Sequence, residues 1–388
     1  MSEPQLYLGW RVALLGLASL QLLTLAAAIV VQSANARANR LLAVFLVVLV
    51  GVVTPYTIGF AGAYDAWRWL TFAPLAITLA LPPLLFGYTH ALVRGRLPDR
   101  FGLHLVPPLV QLGYFLVCFD LPIGAKWSWY TGGHNRFASP AFELALLASL
   151  AVYAAISLRL LKAYRRDLAD ARSDDDRFAA KWLVRVILAL VAVLAIYSAF
   201  TLWDWLSGGI DFFQETGLYL AMVAVGLYLG VEGWRHATLR FPLPVPASPV
   251  VTSPVDTAAA PDWRVVAMAF DARLREAGWA QEPDLSLPVL ARRLATNTGR
   301  LSRAINQGLS LNFSGWINGV RAEAVAAAID SGSSEDLLTL AFDAGFSSKA
   351  SFNRAFQARF GTAPSRYRRG VSDSDFLTPD AEVRRAPG

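Results

Sequence analysis

Seven stretches of the chain are apolar almost without interruption, at residues 11–33, 41–60, 70–93, 101–119, 141–161, 183–203 and 213–233. About 20 apolar residues cross the ~30 Å of hydrocarbon in a bilayer, so each stretch predicts a transmembrane helix. Within them, Pro82-Pro83 and Pro107-Pro108 predict kinks. After residue 261 the pattern changes to short amphipathic helices separated by turn residues. Ala267, Phe270, Leu274 and Ala277 mark the inner face of the first, ended by Gly278. The predicted fold is therefore all-α: a seven-transmembrane helical bundle, residues 1–240, and a soluble helical domain, residues 262–370. Residues 371–388 are expected to be a disordered tail.

Between the two halves, FPLPVPASPVVTSPVDTAAAP at 241–261 holds six prolines. That density forbids a continuous helix and favours extended polyproline II, a spacer of up to ~60 Å at ~3.1 Å per residue. It both marks a domain boundary and lets the next domain reach away from a bilayer.

The soluble half repeats itself. Leu290-Ala291 recurs as Leu340-Ala341, and Leu301-Ser302-Arg303-Ala304-Ile305 recurs as Phe352-Asn353-Arg354-Ala355-Phe356. Ser286 and Asn297 are candidate caps in the first copy, with Pro288 tolerated in a first helical turn, and Ser348 takes the place of Asn297 in the second. Gly345 supplies the turn between two short helices. Each copy reads as helix, tight turn, helix, which is two helix-turn-helix units. Phe313, Trp316, Ile317, Val320 and the alanine-rich run to Ile329 predict one helix linking them.

Charge adds a direction. The net charge is +6 in a chain that is 55% hydrophobic and 16% charged, with mean hydropathy +0.41. Basic residues cluster in alternate loops: Arg37 and Arg40; Arg94, Arg96 and Arg100; Arg159 through Lys181; Arg235 and Arg240. The opposite loops hold only Arg68, Lys126 and Arg136. Basic loops stay cytoplasmic, so the expected topology is multi-pass in a bacterial inner membrane, N-terminus outside and C-terminal domain in the cytoplasm. The N-terminus lacks a basic n-region and a cleavage site, so the first stretch reads as a retained helix. In the soluble half, Ala344 to Gly370 contains no acidic residue but holds Lys349, Arg354, Arg359, Arg366, Arg368 and Arg369. A one-signed run of this kind suits phosphate contact.

Candidate chemistry is sparse. Cys118 is the only cysteine, which excludes an intramolecular disulfide and a cysteine metal cluster. The four lysines lie outside the middle of every span, and His90, His104, His134 and His236 are scattered. No acid–base, nucleophile or metal constellation points to an enzyme, and no cofactor is implied. Each external loop does carry a Trp-x-Trp: Trp67 and Trp69, Trp127 and Trp129, Trp203 and Trp205. These are either an interfacial aromatic belt or, with acids such as Asp204, an aromatic-lined site for a small-molecule or membrane ligand.

Residues 263–369 resemble the AraC/XylS family of bacterial transcription regulators. The resemblance rests on Leu287, Leu290-Ala291, Leu301-Ser302-Arg303, Arg321, Leu340-Ala341, Gly345-Phe346-Ser347-Ser348, Phe352, Arg354, Phe356, Phe360-Gly361, Pro364 and Tyr367-Arg368. It implies two recognition helices in successive major grooves of double-stranded DNA. By position, the first would offer Arg300, Ser302 and Arg303, and the second Lys349, Ser351, Asn353 and Arg354. Gly299 and Ala350 stand where members of the family often carry larger base-reading side chains. The family's usual sugar-binding barrel is absent, and seven spans stand in its place. The expected function is a membrane-bound, sequence-specific transcription regulator whose spans sense an external or membrane signal. A bilayer, DNA, RNA polymerase and a second copy in a homodimer are the expected partners. The second reading is a transporter-like or lipid-interacting module fused to a regulator.

Overall fold

The computed structural model describes residues 6–207, 216–243 and 261–376. The described residues are helical and contain no β-strand. They divide into two compact units, one of residues 1–162 and 180–243, the other of residues 163–179 and 244–388.

Among the described residues the first unit is built on α1 Trp10–Val30, α2 Ala36–Phe60, α3 Leu81–Arg94, α4 Val106–Phe119, α5 Ser139–Ala171 up to residue 162, α6 Lys181–Ser207 and α7 Thr216–His236; residues 163–171 of α5 belong to the second unit. Among the described residues, four apolar runs are long enough to cross a membrane by length and composition: α1, α2, the run Ile123–Ala171 and α7. Their outward faces carry large apolar side chains, with Leu20 62%, Val47 50% and Leu144 68% exposed. Water would not tolerate such a surface over a wide area, whereas lipid would.

Helix α7 packs tightly on α1 and α2. A Cβ added at Gly226 would stand 2.2 Å from Leu49, and one at Gly233 would stand 2.2 Å from Leu42. Small residues in this spacing let helix backbones approach where no hydrophobic force drives them together. The buried Asn39 amide is satisfied at the same end, donating to Gln32 O and Ala237 O.

The third and fourth predicted spans differ from expectation. Both proline pairs stand in the first turn of a helix, at the start of α3 and of α4, and kink neither. Proline has no amide proton to lose there and its φ is already helical. Residues 68–80 are turns and 3-10 segments, not α-helix. α3 and α4 therefore have 14 residues each, about 21 Å at ~1.5 Å per residue. The segment holding Trp127 and Trp129, expected as a loop, is also helical. Ile123–Trp129 leads through a π-helical turn, Tyr130–Ala138, into α5.

The second unit contains α8 Trp263–Glu276, α9 Leu287–Arg293, α10 Thr298–Arg303, α11 Phe313–Asp330, α12 Leu337–Asp343, α13 Lys349–Phe360 and α14 Pro364–Phe376. Its apolar interior has two clusters. Leu290, Leu294, Leu301 and Ile305 surround one end of α11 through Phe313, Trp316 and Ile317. Ala341, Phe346, Phe352 and Phe356 surround the other end through Ala322, Val325 and Ile329. Tyr367 closes the second cluster against Phe356 and Phe360, and its hydroxyl reaches Asp330 at 3.1 Å.

Two sequence-derived boundaries move. Residues 163–179, expected to belong to the membrane half, pack with the second unit, because polar groups of α11 and the turn before α9 hold them there. α14 runs to Phe376, six residues into the stretch expected to be disordered. Most of the proline-rich stretch lies outside the described residues, as do residues 377–388.

Candidate nucleic-acid interface

The two copies of the repeat fold by the same backbone bonds. In the first, the amide of Thr296 donates to Ala291 O at 2.9 Å and that of Ala295 to Arg292 O at 3.1 Å. In the second, Phe346 donates to Ala341 O at 3.0 Å and Gly345 to Phe342 O at 2.9 Å. Each turn needs a left-handed residue. Gly345 fills it at φ +96°, where a Cβ would meet Gln281 O at 2.4 Å, so no larger residue fits. Its counterpart is Ala295, at φ 52°. The following helix starts alike in both copies: Asn297 accepts from the Arg300 amide at 2.7 Å and Ser348 from the Ser351 amide at 3.1 Å. Ser286 occupies the N-cap of α9 but makes no side-chain cap bond. Pro288 lies in that helix's first turn, as expected.

These caps aim the two candidate recognition helices, and most of the predicted residues lie on their outer faces. In the first copy, Arg300 and Arg303 are exposed and Ser302 is half-buried, its hydroxyl accepting from Asn306 at 3.3 Å. The Arg303 guanidinium lies 5.4 Å from the ring centre of Trp263 on α8. In the second copy, Lys349, Asn353 and Arg354 are exposed. Ser351 is not: it is buried, and its hydroxyl donates back to Ser348 O at 2.8 Å, so it builds the helix start and presents no donor outward. Periodicity explains this, since Ser351 precedes the inward Phe352 and folds under the cap.

A chain of ion pairs fixes the second helix relative to the first copy. Asp271 and Arg275 on α8 pair at 2.7 Å, Arg275 reaches Glu323 on α11 at 2.7 Å, and Arg359 on α13 reaches Glu323 at 2.6 Å. Arg321, 1% exposed, stands at the middle of α11. It donates to Ala280 O at 2.6 Å, Glu282 O at 2.6 Å, Asn318 Oδ1 at 2.9 Å and Ser173 Oγ at 3.0 Å. Burial pulls its pKa down to about 10, which leaves it charged at neutral pH.

Two residues absent from the expected set are Trp263, the platform for Arg303, and Asp176, which forms an ion pair with Arg354. Trp263 carried no periodic signal of its own. Asp176 did stand out, as the last of three consecutive acids, Asp174 to Asp176.

In the first unit the structure brings two of the Trp-x-Trp sites together. Lys126 donates to Trp69 O at 3.1 Å, and Arg68 lies 5.5 Å from the Trp127 ring. Trp67, Trp69, Trp127 and Trp129 are all more than a third exposed. The Trp129 indole donates to the Tyr114 hydroxyl at 2.9 Å, which is hydrogen-bonded to His134 at 2.8 Å. His134 in turn lines a cavity of about 280 Å³ together with Tyr56, Gln111, Glu143, Tyr219 and Met222. The side chains of Trp203, Asp204 and Trp205 lie outside the described residues. Among the described residues no group of acids, histidines and cysteine could hold a metal ion.

Comparison with known families matches residues 290–370 to a helix-turn-helix domain. No curated protein and no solved structure matches the chain.

Proposed function

We propose, starting from residues 290–370 as an AraC-type helix-turn-helix domain, that this DNA-binding transcription regulator is membrane-bound and reads its operator with two helices. The observation that carries the reading is the doubled, identically bonded helix-turn-helix, on a chain whose described residues also include four helices long enough to cross a bilayer. Arg300 and Arg303 on α10 and Lys349, Asn353 and Arg354 on α13 are the proposed contacts. Ser302 assists from a half-buried position, and Ser351 acts through the cap. Arginine is the commonest bidentate reader of guanine, and lysine here suits phosphate. Tagged full-length chain should sediment with membranes, resist alkaline extraction and carry crosslinked DNA enriched at discrete genomic sites. Recovery of the chain in the soluble fraction would overturn the membrane part. Uniform recovery of genomic DNA would overturn sequence-specific reading.

The arginine-rich loops support an orientation with the N-terminus outside and the C-terminal domain in the cytoplasm. Alkaline phosphatase fused after Gly209 should be active and fused after Arg240 inactive. The reverse pattern would refute the orientation.

The spans are proposed to sense, with the external tryptophans and the cavity reached through His134 as the receiving site. A cavity with mostly apolar walls and a few polar groups suits a small amphipathic ligand. Trp129→Phe removes the N–H donor to Tyr114 while keeping much of the bulk. Trp129→Phe, Trp205→Phe and Asp204→Asn should insert at normal levels but blunt a reporter's response to the inducing condition. Normal responses in all three would leave the tryptophans as an interfacial belt.

A further inference from the structure

Residues 172–176, which follow α5 directly, are bound into the second unit by an unusually complete set of polar contacts. Ser173 donates twice to Leu285 O, from its amide at 3.1 Å and its hydroxyl at 3.0 Å. Its own carbonyl accepts from Asn318 Nδ2 at 3.0 Å, and its hydroxyl accepts from Arg321 at 3.0 Å. Asp175 accepts from the Ser314 hydroxyl at 2.9 Å, and Asp176 pairs with Arg354. Arg172 grips Asp174 at 2.6 Å, a bond that holds the guanidinium above its ordinary pKa and shapes the turn. Ser173 and Asp174 are 2% and 3% exposed.

The receiving surface is shaped for this segment. Ser314, Asn318 and Arg321 fall on one face of α11, four and three residues apart, and all are buried. A polar stripe of that kind is costly to bury unless something satisfies it, and here the acidic segment does. The same segment reaches α13 and takes the arginine that the proposed DNA contact requires. A carboxylate on Arg354 is chemically a stand-in for a phosphate or a base-edge acceptor.

We propose that residues 172–176 are an intramolecular competitor of DNA, an acidic hook that docks on α11 and occupies Arg354, so that DNA binding and docking of the hook exclude each other. The proposal rests on the DNA-binding reading above. It also identifies a route for regulation. Ala171 ends the helix that begins at Ser139, so the hook is joined to that helix with no linker between them. Anything that displaces the end of α5 acts on the hook directly.

The test uses full-length chain in lipid nanodiscs and a pool of randomised duplexes, each long enough to present two successive major grooves. In a Cys118→Ser background, Ser314→Cys with Asp175→Cys would lock the hook in place on oxidation. DNA retention should fall about tenfold or more on oxidation and return on reduction, within the range of ordinary coupling between two sites. Asp176→Asn should raise retention about fivefold or more, whereas Glu335→Gln, an equal change of charge at an exposed position, should not. Failure of the cysteines to crosslink, or equal retention by the oxidised and reduced forms, would overturn the hook while leaving DNA binding intact. If the reduced form, Asp176→Asn and the unaltered chain all retain no DNA, the DNA-binding reading itself falls, and the hook with it.

Discussion

Replacing Arg321 with methionine should lower the stability of the C-terminal unit by about 3 kcal/mol, the largest effect expected of a single substitution here. Methionine matches the length of the stem but offers no donor. Ala280 O and Glu282 O each lose a charged donor at 2.6 Å, and Asn318 and Ser173 lose theirs as well. Hydrogen bonds to charged groups contribute about 1.5–3 kcal/mol each. Part of that gain is already offset by the cost of burying the guanidinium, visible in its lowered pKa. The net loss is therefore smaller than the sum of four bonds. Arg321→Lys should recover only part of it, because an ammonium is a point donor and cannot span carbonyls and side chains arranged around a planar fork. Pulse proteolysis of the C-terminal unit across a urea series would measure both variants. A methionine variant with an unchanged midpoint would refute this account of the buried arginine.

Arg303→Ala and Arg354→Ala should each weaken specific DNA binding by about 1–3 kcal/mol where the arginine reads a base bidentately. The two lie on different helices with no shared partner in the structure, so the double variant should lose close to the sum. Salt dependence separates roles: loss of a phosphate contact lowers the slope by about one, and loss of a base contact leaves it nearly unchanged while relaxing sequence preference. The two residues are not equivalent in the unbound protein. Arg303 rests on Trp263, a contact whose loss removes about 0.5–1 kcal/mol at an exposed site. Arg354 is paired with Asp176, so its removal releases the Asp176 carboxylate from that pair at the same time as it removes a proposed DNA contact. Unchanged affinity in both single variants would refute the assignment.

The doubled helix-turn-helix was legible because it repeats in sequence and each copy carries its own cap and turn residue. Asn297 and Ser348 are helix starters at matching positions, and only Gly345 fits its turn. Ala295 gave no such sign, since an alanine at φ 52° is unmarked in sequence and is imposed by the flanking helices. Apolar length located the long helices but misjudged the region around residues 68–80, where hydropathy is blind to whether a segment is α-helical. It also misjudged the proline pairs, whose effect depends on whether they open a helix or interrupt one. The placement of Ser173 to Asp176 was not legible. Those contacts join residues more than a hundred positions apart, and nothing local to the loop encodes its partner. Ser351 was misread because an inward-facing cap and an outward-facing reader occupy adjacent turns of one short helix.

Helix α11 contributes Phe313, Trp316 and Ile317 to one core and Ala322, Val325 and Ile329 to the other. It thereby acts as a ruler and a protractor at once. One residue inserted near its middle would advance the second reading head by about 1.5 Å and turn it by about 100° relative to the first. Neither core could absorb that without repacking, so the two heads are committed to one pitch. On the proposed reading with both heads, operators can diverge in the bases under each head, but the interval between their two halves is set by the length of a single rod.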